Sequence, residues 1–188
     1  MEAAVKKETR FTYADYCAWP DDERWELIDG AAYAMSSPTA SHQAILVGLI
    51  GQLYVFLRGK KCKVFAAPFD VRLNADGADD TVVQPDILVV CDETKLSDGK
   101  CVRGAPDLVI EILSPSTAMH DKVTKFNLYH RMGVREYWIV DPDYKMLHTH
   151  VLGESGYITR AYDETGVAPV NILEGCVINL ADVFEGAE

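Results

Sequence analysis

The run Leu108-Val109-Ile110-Glu111-Ile112-Leu113 constrains this chain more than any other segment. It is almost continuously apolar and lacks the alternation of a half-exposed strand, so the spacing predicts a strand from Pro106 to Leu113 that is covered on both faces. Covering both faces takes further layers, which points to an α/β (α+β) chain. Alternation sets Asp107, Val109, Glu111 and Leu113 on one face and Leu108, Ile110 and Ile112 on the other. Glu111 is the one charge inside the run. An ionised carboxylate there is costly unless a cation, a hydrogen-bond network or water compensates it. A plain ion pair with a lysine would also do so, and ion-pair networks often imitate sites.

A second acid, Asp86, follows Pro85 and opens the apolar run Ile87 to Val90, at the mouth of a predicted strand Val82 to Cys91. Two carboxylates on adjacent strands can hold one hard cation through oxygen, which is the minimum equipment for metal-assisted hydrolysis. On its own a Pro-Asp pair is a weak signal and also fits a turn cap. Asp121, Lys125 and Tyr129 recur at i, i+4 and i+8 on a helix predicted from about Ala118 to Met132 and capped by Gly133. From that face Lys125 could orient or help deprotonate an attacking water and stabilise charge on a phosphate, or form an ordinary exposed pair with Asp121. Glu26, between Trp25 and Leu27, is either a third acidic ligand or the solvent-facing member of a strand. His42, in the first turn of a helix, is either a hydrogen-bonding partner at the site or a packing histidine.

Around these residues the pattern predicts a helix Tyr13 to Trp19 capped by Thr12, and a hairpin of Arg24–Ile28 and Ala31–Met35 closed by a primed turn at Asp29-Gly30. A helix carrying Ile45, Leu46, Leu49, Leu53 and Phe56 follows and ends at Gly59. A strand Val64 to Leu73, with Pro68 near a bend, precedes the Asp86 strand. Tyr137 to Val140 is a short buried strand, and Lys145–Leu152, Gly156–Ala161 and Val177–Leu180 are peripheral strands. The 188 residues suit one domain, with a core over about 13–152 and the 153–188 strands packed on it.

With 48% hydrophobic and 25% charged residues, the chain is not predicted to be disordered. Its apolar runs, such as Ile87 to Cys91, fall short of a bilayer span, and no apolar stretch follows Met1 to Arg10, so neither a membrane partner nor a secretory leader is expected. The 5 cysteines show no C-x-x-C spacing and read as reduced thiols of a cytoplasmic protein. The formal charge of −11 runs against broad electrostatic binding of nucleic acid, so any such contact must come from a local basic patch, a metal ion or another subunit. No Gly-rich phosphate loop occurs, and the strands exclude an all-helical phosphohydrolase built around His120-Asp121.

Taken in order, Trp25-Glu26-Leu27-Ile28-Asp29-Gly30, His42, Gln84-Pro85-Asp86-Ile87, Ala105-Pro106-Asp107 leading through Glu111 to Ser114-Pro115-Ser116, then Asp121, Lys125, Tyr129 and Gly133 through Pro142 resemble the Uma-two family of restriction-endonuclease-like proteins. The likeness covers about Tyr13 to Leu152. It implies a PD-(D/E)XK nuclease core, a mixed central sheet flanked by helices, with additional peripheral antiparallel strands here. It also implies a Mg²⁺ site, with Mn²⁺ as a substitute, made by Asp86, Glu111 and the Ile112 carbonyl. The superfamily lysine two residues after the glutamate is Leu113 in this chain, and the resemblance implies its replacement by Lys125. The implied activity is hydrolysis of DNA phosphodiester bonds, with a homodimer suited to paired cuts. The alternatives are an inactive nucleic-acid or protein binding module with the same fold, and a phosphodiesterase acting on RNA or a nucleotide.

Overall fold

The computed structural model describes residues 10–20, 23–114 and 120–187. Met1 to Thr9, the Pro115–Met119 part of the connection after Glu111, and the predicted helix start at Ala118 lie outside the described residues.

The central sheet has six strands in the order β11-β10-β9-β8-β6-β3. They are β3 (Lys63–Ala66), β6 (Ile87–Val90), β8 (Leu108–Ile112), β9 (Glu136–Asp141), β10 (Met146–Gly153) and β11 (Gly156–Asp163). β8 and β9 run parallel and the other pairs antiparallel, so the sheet is mixed. Leu108, Ile110 and Ile112 enter one apolar cluster, while Val109 and Leu113 enter another. The alternation seen in the sequence is therefore the partition of the core between the two sheet faces.

A second sheet, ordered β2-β1-β5-β4-β7, contains β1 (Trp25–Ile28), β2 (Ala31–Ala34), β4 (Val71–Arg72), β5 (Val82–Val83) and β7 (Val102–Arg103). The β1–β2 turn has positive φ at Asp29 (49°) and Gly30 (80°), the conformation of a primed two-residue turn. Two predicted strands need correction. Val64–Leu73 is not one strand but β3 and β4, and Val82–Cys91 is not one strand but β5 and β6, each half lying in a different sheet. The two breaks fall side by side at Pro68 and Pro85, where the Ala67 N–H donates to the Asp86 carbonyl at 3.0 Å. Proline has no N–H for a ladder, so a paired ribbon bends where two prolines face each other. Asp86 sits at that corner between the sheets.

Helix α2 (Ala40–Leu57), capped by Thr39, lays Ile45, Leu49, Leu53 and Leu57 on the face formed by Ile87, Val89, Leu108 and Ile110. It carries no Asp, Glu, Lys or Arg, and by length and composition alone it could cross a membrane. A Cβ on Gly48 would stand 3.0 Å from the Val183 Cα, so glycine is what lets α4 (Leu180–Phe184) lie against α2. Helix α1 is shorter than predicted, Tyr13–Tyr16, with Thr12 and Asp15 forming a capping box. The helix after Glu111 begins as a π-helical turn, His120–Lys125, and continues as α3, Phe126–Arg131. Strands β12 (Val167–Pro169) and β13 (Val177–Asn179) form a separate pair whose Ala168 and Ile178 join the α2 cluster.

The expectation of five reduced cysteines is corrected for two of them. Cys62 and Cys91 form a disulfide, because the β3–β6 register that pairs Lys63 with Val90 sets them opposite each other one residue further on. Cys17, Cys101 and Cys176 are free.

Candidate functional site

Register explains why two acids distant in sequence meet. β6 pairs with β8 through Ile87 and Ile110, and continuing that register one residue past the end of β6 sets Asp86 opposite Glu111. Residues directly opposite in an antiparallel pair point to the same face with Cβ atoms about 5 Å apart. Asp86 is fixed through one oxygen only, since Oδ2 accepts the Ile112 N–H at 2.8 Å and lies 3.1 Å from His42 Nε2. Opposite a carboxylate, Nε2 is placed to donate, and among the described residues His42 Nδ1 is buried without a hydrogen-bond partner. Glu111 is likewise held through Oε1, which accepts from Tyr129 Oη at 2.7 Å and Lys125 Nζ at 2.9 Å. Asp86 Oδ1 and Glu111 Oε2 are the oxygens left over, and both residues line one cleft of about 140 Å³.

Lys125 is the centre of the arrangement. Its ammonium stands 2.9 Å from Glu111, 3.0 Å from Glu26 and 3.6 Å from Asp121. The contacts come from different parts of the fold: Glu26 from β1 in the second sheet, Glu111 from β8, and Asp121 from the π-helical turn. Glu26 Oε1 also accepts the Gln84 N–H at 2.9 Å, which ties it to the corner beside Asp86. Glu26, Glu111, Asp121 and Lys125 are all buried.

Burial is the main force raising the Glu111 carboxyl well above its ordinary range. Lys125 opposes it, while Asp121, Asp86 and Glu26 add to it. For Lys125 burial acts against the charge, but Glu111, Glu26 and Asp121 outweigh it and hold the amine well above its usual value. Both shifts are upward, so the proton between Glu111 and Lys125 is held tightly. We place it on the lysine, because three carboxylates, Glu111, Glu26 and Asp121, surround its single ammonium. Burial first, then Glu111, raises Tyr129 as well, so its hydroxyl stays a neutral donor. The cluster is acid-rich and its open atoms are hard oxygens, a donor set that suits Mg²⁺ or Mn²⁺ with water filling most positions. Among the described residues no three acidic, histidine or cysteine side chains converge as a closed metal site, because Lys125 fills the middle.

Residues 13–181 match the family Uma2, whose description reads "Putative restriction endonuclease". The chain belongs to the Uma2 family. It is 30% identical over 130 residues to the uncharacterized protein slr1290 of Synechocystis sp., a match covering 67% of this chain and 66% of that one. Another Synechocystis protein, the uncharacterized sll1609, is 26% identical over 139 residues, covering 72% and 77% respectively. Among solved structures, a "putative nuclease belonging to DUF820" from Anabaena variabilis superposes with a TM-score of 0.76 at 19% identity, covering 95% of this chain and 99% of that one. The mixed sheet and flanking helices thus share the fold of that structure.

In this Uma2 chain the residues singled out in the sequence, Glu26, His42, Asp86, Glu111, Asp121, Lys125 and Tyr129, converge on one cleft and its floor. Ile112 is there too, but its contact with Asp86 runs through the N–H and not through the carbonyl. Glu111, Glu26 and Asp121 push the Lys125 amine upward, which favours its charged, hydrogen-bond-donating form. Two contributors were missed. Gln84 fixes Glu26 through its backbone, and Arg24 lines the cleft while donating to the Gln84 side chain. Arg24 is two residues before Glu26, and strand alternation alone would have put them on one face.

Proposed function

We propose that this chain is a Mg²⁺-dependent endonuclease that hydrolyses phosphodiester bonds in DNA. The observation that carries the reading is the Asp86–Glu111 cross-strand pair, in which each carboxylate is anchored by one oxygen and offers the other to the same cleft. Asp86, Glu111 and the Ile112 carbonyl would hold the ion, with Mn²⁺ as a substitute. When bound, such an ion polarises a phosphoryl oxygen and lowers the pKa of an attached water.

The chain's own residues supply position and charge. The Ile112 N–H and His42 aim Asp86, and Tyr129 and Lys125 aim Glu111. Glu26 and Asp121 keep the Lys125 ammonium charged and in place. Lys125 then serves as a donor to charge that develops on the phosphate, reached by releasing Asp121, the longest of its three contacts at 3.6 Å. One site per chain makes a homodimer the natural form for cutting both strands of a duplex.

A second reading, a binding module without catalysis, draws on the way Lys125 already neutralises part of the acid cluster. Incubation of the protein with supercoiled DNA, single strands and RNA in Mg²⁺ or Mn²⁺ tests both. The nuclease reading expects cleavage of DNA that Asp86→Asn and Glu111→Gln each abolish. Cleavage of RNA alone would move the substrate class. Calorimetry that finds no Mg²⁺ or Mn²⁺ bound by the wild type, together with no cleavage, leaves the binding module.

A further inference from the structure

Arg24 differs from the other arginines whose partners are visible. Arg10, Arg72, Arg103, Arg131 and Arg135 each pair with an aspartate. Arg24 instead forks its Nε (3.1 Å) and Nη2 (2.8 Å) onto the neutral Gln84 Oε1, and among the described residues no carboxylate pairs with it. Gln84 cannot swing away, because its Nε2 donates to Tyr16 Oη at 3.0 Å and to Asp70 Oδ1 at 2.9 Å. The result is an exposed guanidinium, held on a neutral amide and without a carboxylate partner among the described residues, at the mouth of a cleft lined with carboxylates.

The cleft continues past Arg24 into a groove of about 480 Å³ between the start of β1 and the Met35–Pro38 connection. Arg24 and the Met35–Pro38 segment line both spaces, so the groove is a path leading away from Asp86 and Glu111. Trp25 lines the groove as well, and its ring is braced edgewise against Trp19 at 5.8 Å and tethered through Nε1 to Glu23. Arg24 and Trp25 both line this groove, with Glu23 beside them, and a guanidinium and a braced indole along one groove match one repeat of a nucleic-acid strand, a phosphate and the base attached to it. On a chain of charge −11, a cation that lines this path and has no carboxylate partner among the described residues is the local attraction that a polyanion requires.

We propose that Arg24 and Trp25 form a strand-binding subsite beside the carboxylates, with the guanidinium on a phosphate flanking the reacting one and the indole under an unpaired base. This deepens the nuclease reading and rests on it. The substrate segment entering the groove is then single-stranded or splayed, since a stacked base pair would not lie on the indole.

The test is fluorescence anisotropy of a short labelled DNA strand, and of its duplex, titrated with the full chain in Ca²⁺ over a range of salt concentrations. Arg24→Gln is expected to weaken single-strand binding roughly fivefold to tenfold near 0.1 M salt and to lower the salt slope by about 1. Arg24→Lys should keep the slope, and Trp25→Leu should weaken binding roughly tenfold with the slope unchanged. Melting temperature should stay near the wild-type value in the two Arg24 variants, and Mn²⁺ binding in all three. If Arg24→Lys loses the slope as Arg24→Gln does, or if Mn²⁺ binding falls with it, Arg24 only braces Gln84 and the subsite is overturned. Equal binding by wild type and Arg24→Gln overturns the subsite alone, and so does a Trp25→Leu effect confined to duplex. A wild type that binds neither strand nor duplex overturns the nuclease reading, and the subsite falls with it.

Discussion

Glu111 and Glu136 stand on neighbouring parallel strands, three register positions apart, and both are almost wholly buried, at 4% and 0% exposure. They lie on opposite faces of the sheet. Glu136 is solvated completely by neutral donors, with Trp138 Nε1 at 2.8 Å and Asn171 Nδ2 at 3.1 Å on Oε1, and the Ile172 N–H at 3.0 Å on Oε2. Both oxygens are used, and the result fastens the segment after β12 to the sheet. Glu111 has its donors on one oxygen, one of them a cation, and three more acids nearby. Burial of a carboxylate therefore does not mark a site. Incomplete solvation beside a surplus of like charge does, because only a cation completes it.

The largest test of this contrast removes the cation. Lys125→Met leaves Glu26, Glu111 and Asp121 buried around an apolar side chain, and breaking one side of a buried ion pair costs about 3 to 5 kcal/mol. Urea unfolding near neutral pH should show a loss of that order, partly recovered on acidification as the carboxylates take up protons. A midpoint close to wild type would mean that Lys125 is not the counter-ion of the cluster. Next in size is Glu111→Gln, which keeps the shape but removes the charge that an ion would need. Mn²⁺ affinity should drop by roughly a hundredfold, about 2.7 kcal/mol, with little change in the urea midpoint. Glu136→Gln should do the reverse, losing roughly 1 to 3 kcal/mol of stability because one oxygen acceptor is replaced by a donor facing donors, with Mn²⁺ binding intact. If the two substitutions behaved alike, the distinction between the two faces would collapse.

The sequence carried the Glu111 half of this contrast and not the Glu136 half. A charge inside Leu108–Leu113 is conspicuous because every neighbour is apolar, whereas Glu136 sits after Arg135 at a strand start, where charges are ordinary. What makes Glu136 buried is the arrival of Asn171 and Ile172 from 35 and 36 residues downstream, and no local pattern encodes that. For the same reason the acids, the lysine and His42 were legible as residues while their geometry was not. Pro68 signalled a bend, whereas Pro85 was read inside one continuous strand, and only the facing of the two prolines shows that the ribbon passes from one sheet to the other and leaves Asp86 on the corner. The Cys62–Cys91 pair was hidden likewise, since it depends on β3–β6 register and not on spacing.

His150 offers the smallest and sharpest extension of the comparison, being a buried titratable group that, like Glu136, has a neutral partner. Its Nδ1 lies 2.8 Å from Thr159 Oγ1, and among the described residues its Nε2 is buried without a hydrogen-bond partner. Burial, with a smaller push from His148, lowers its pKa to about 4. The ring is thus neutral in the folded chain at pH values where the unfolded chain, with a pKa near 6.5, already binds a proton. The unfolded state holds more protons between those two values, so stability must fall as pH drops from about 6.5 through about 4, with a slope approaching one proton, and level off below. His150→Leu removes the proton linkage and should flatten that limb of a melting-temperature profile, with little effect above pH 7. A limb of unchanged slope in His150→Leu would assign the acid sensitivity to other groups and return His150 to ordinary packing.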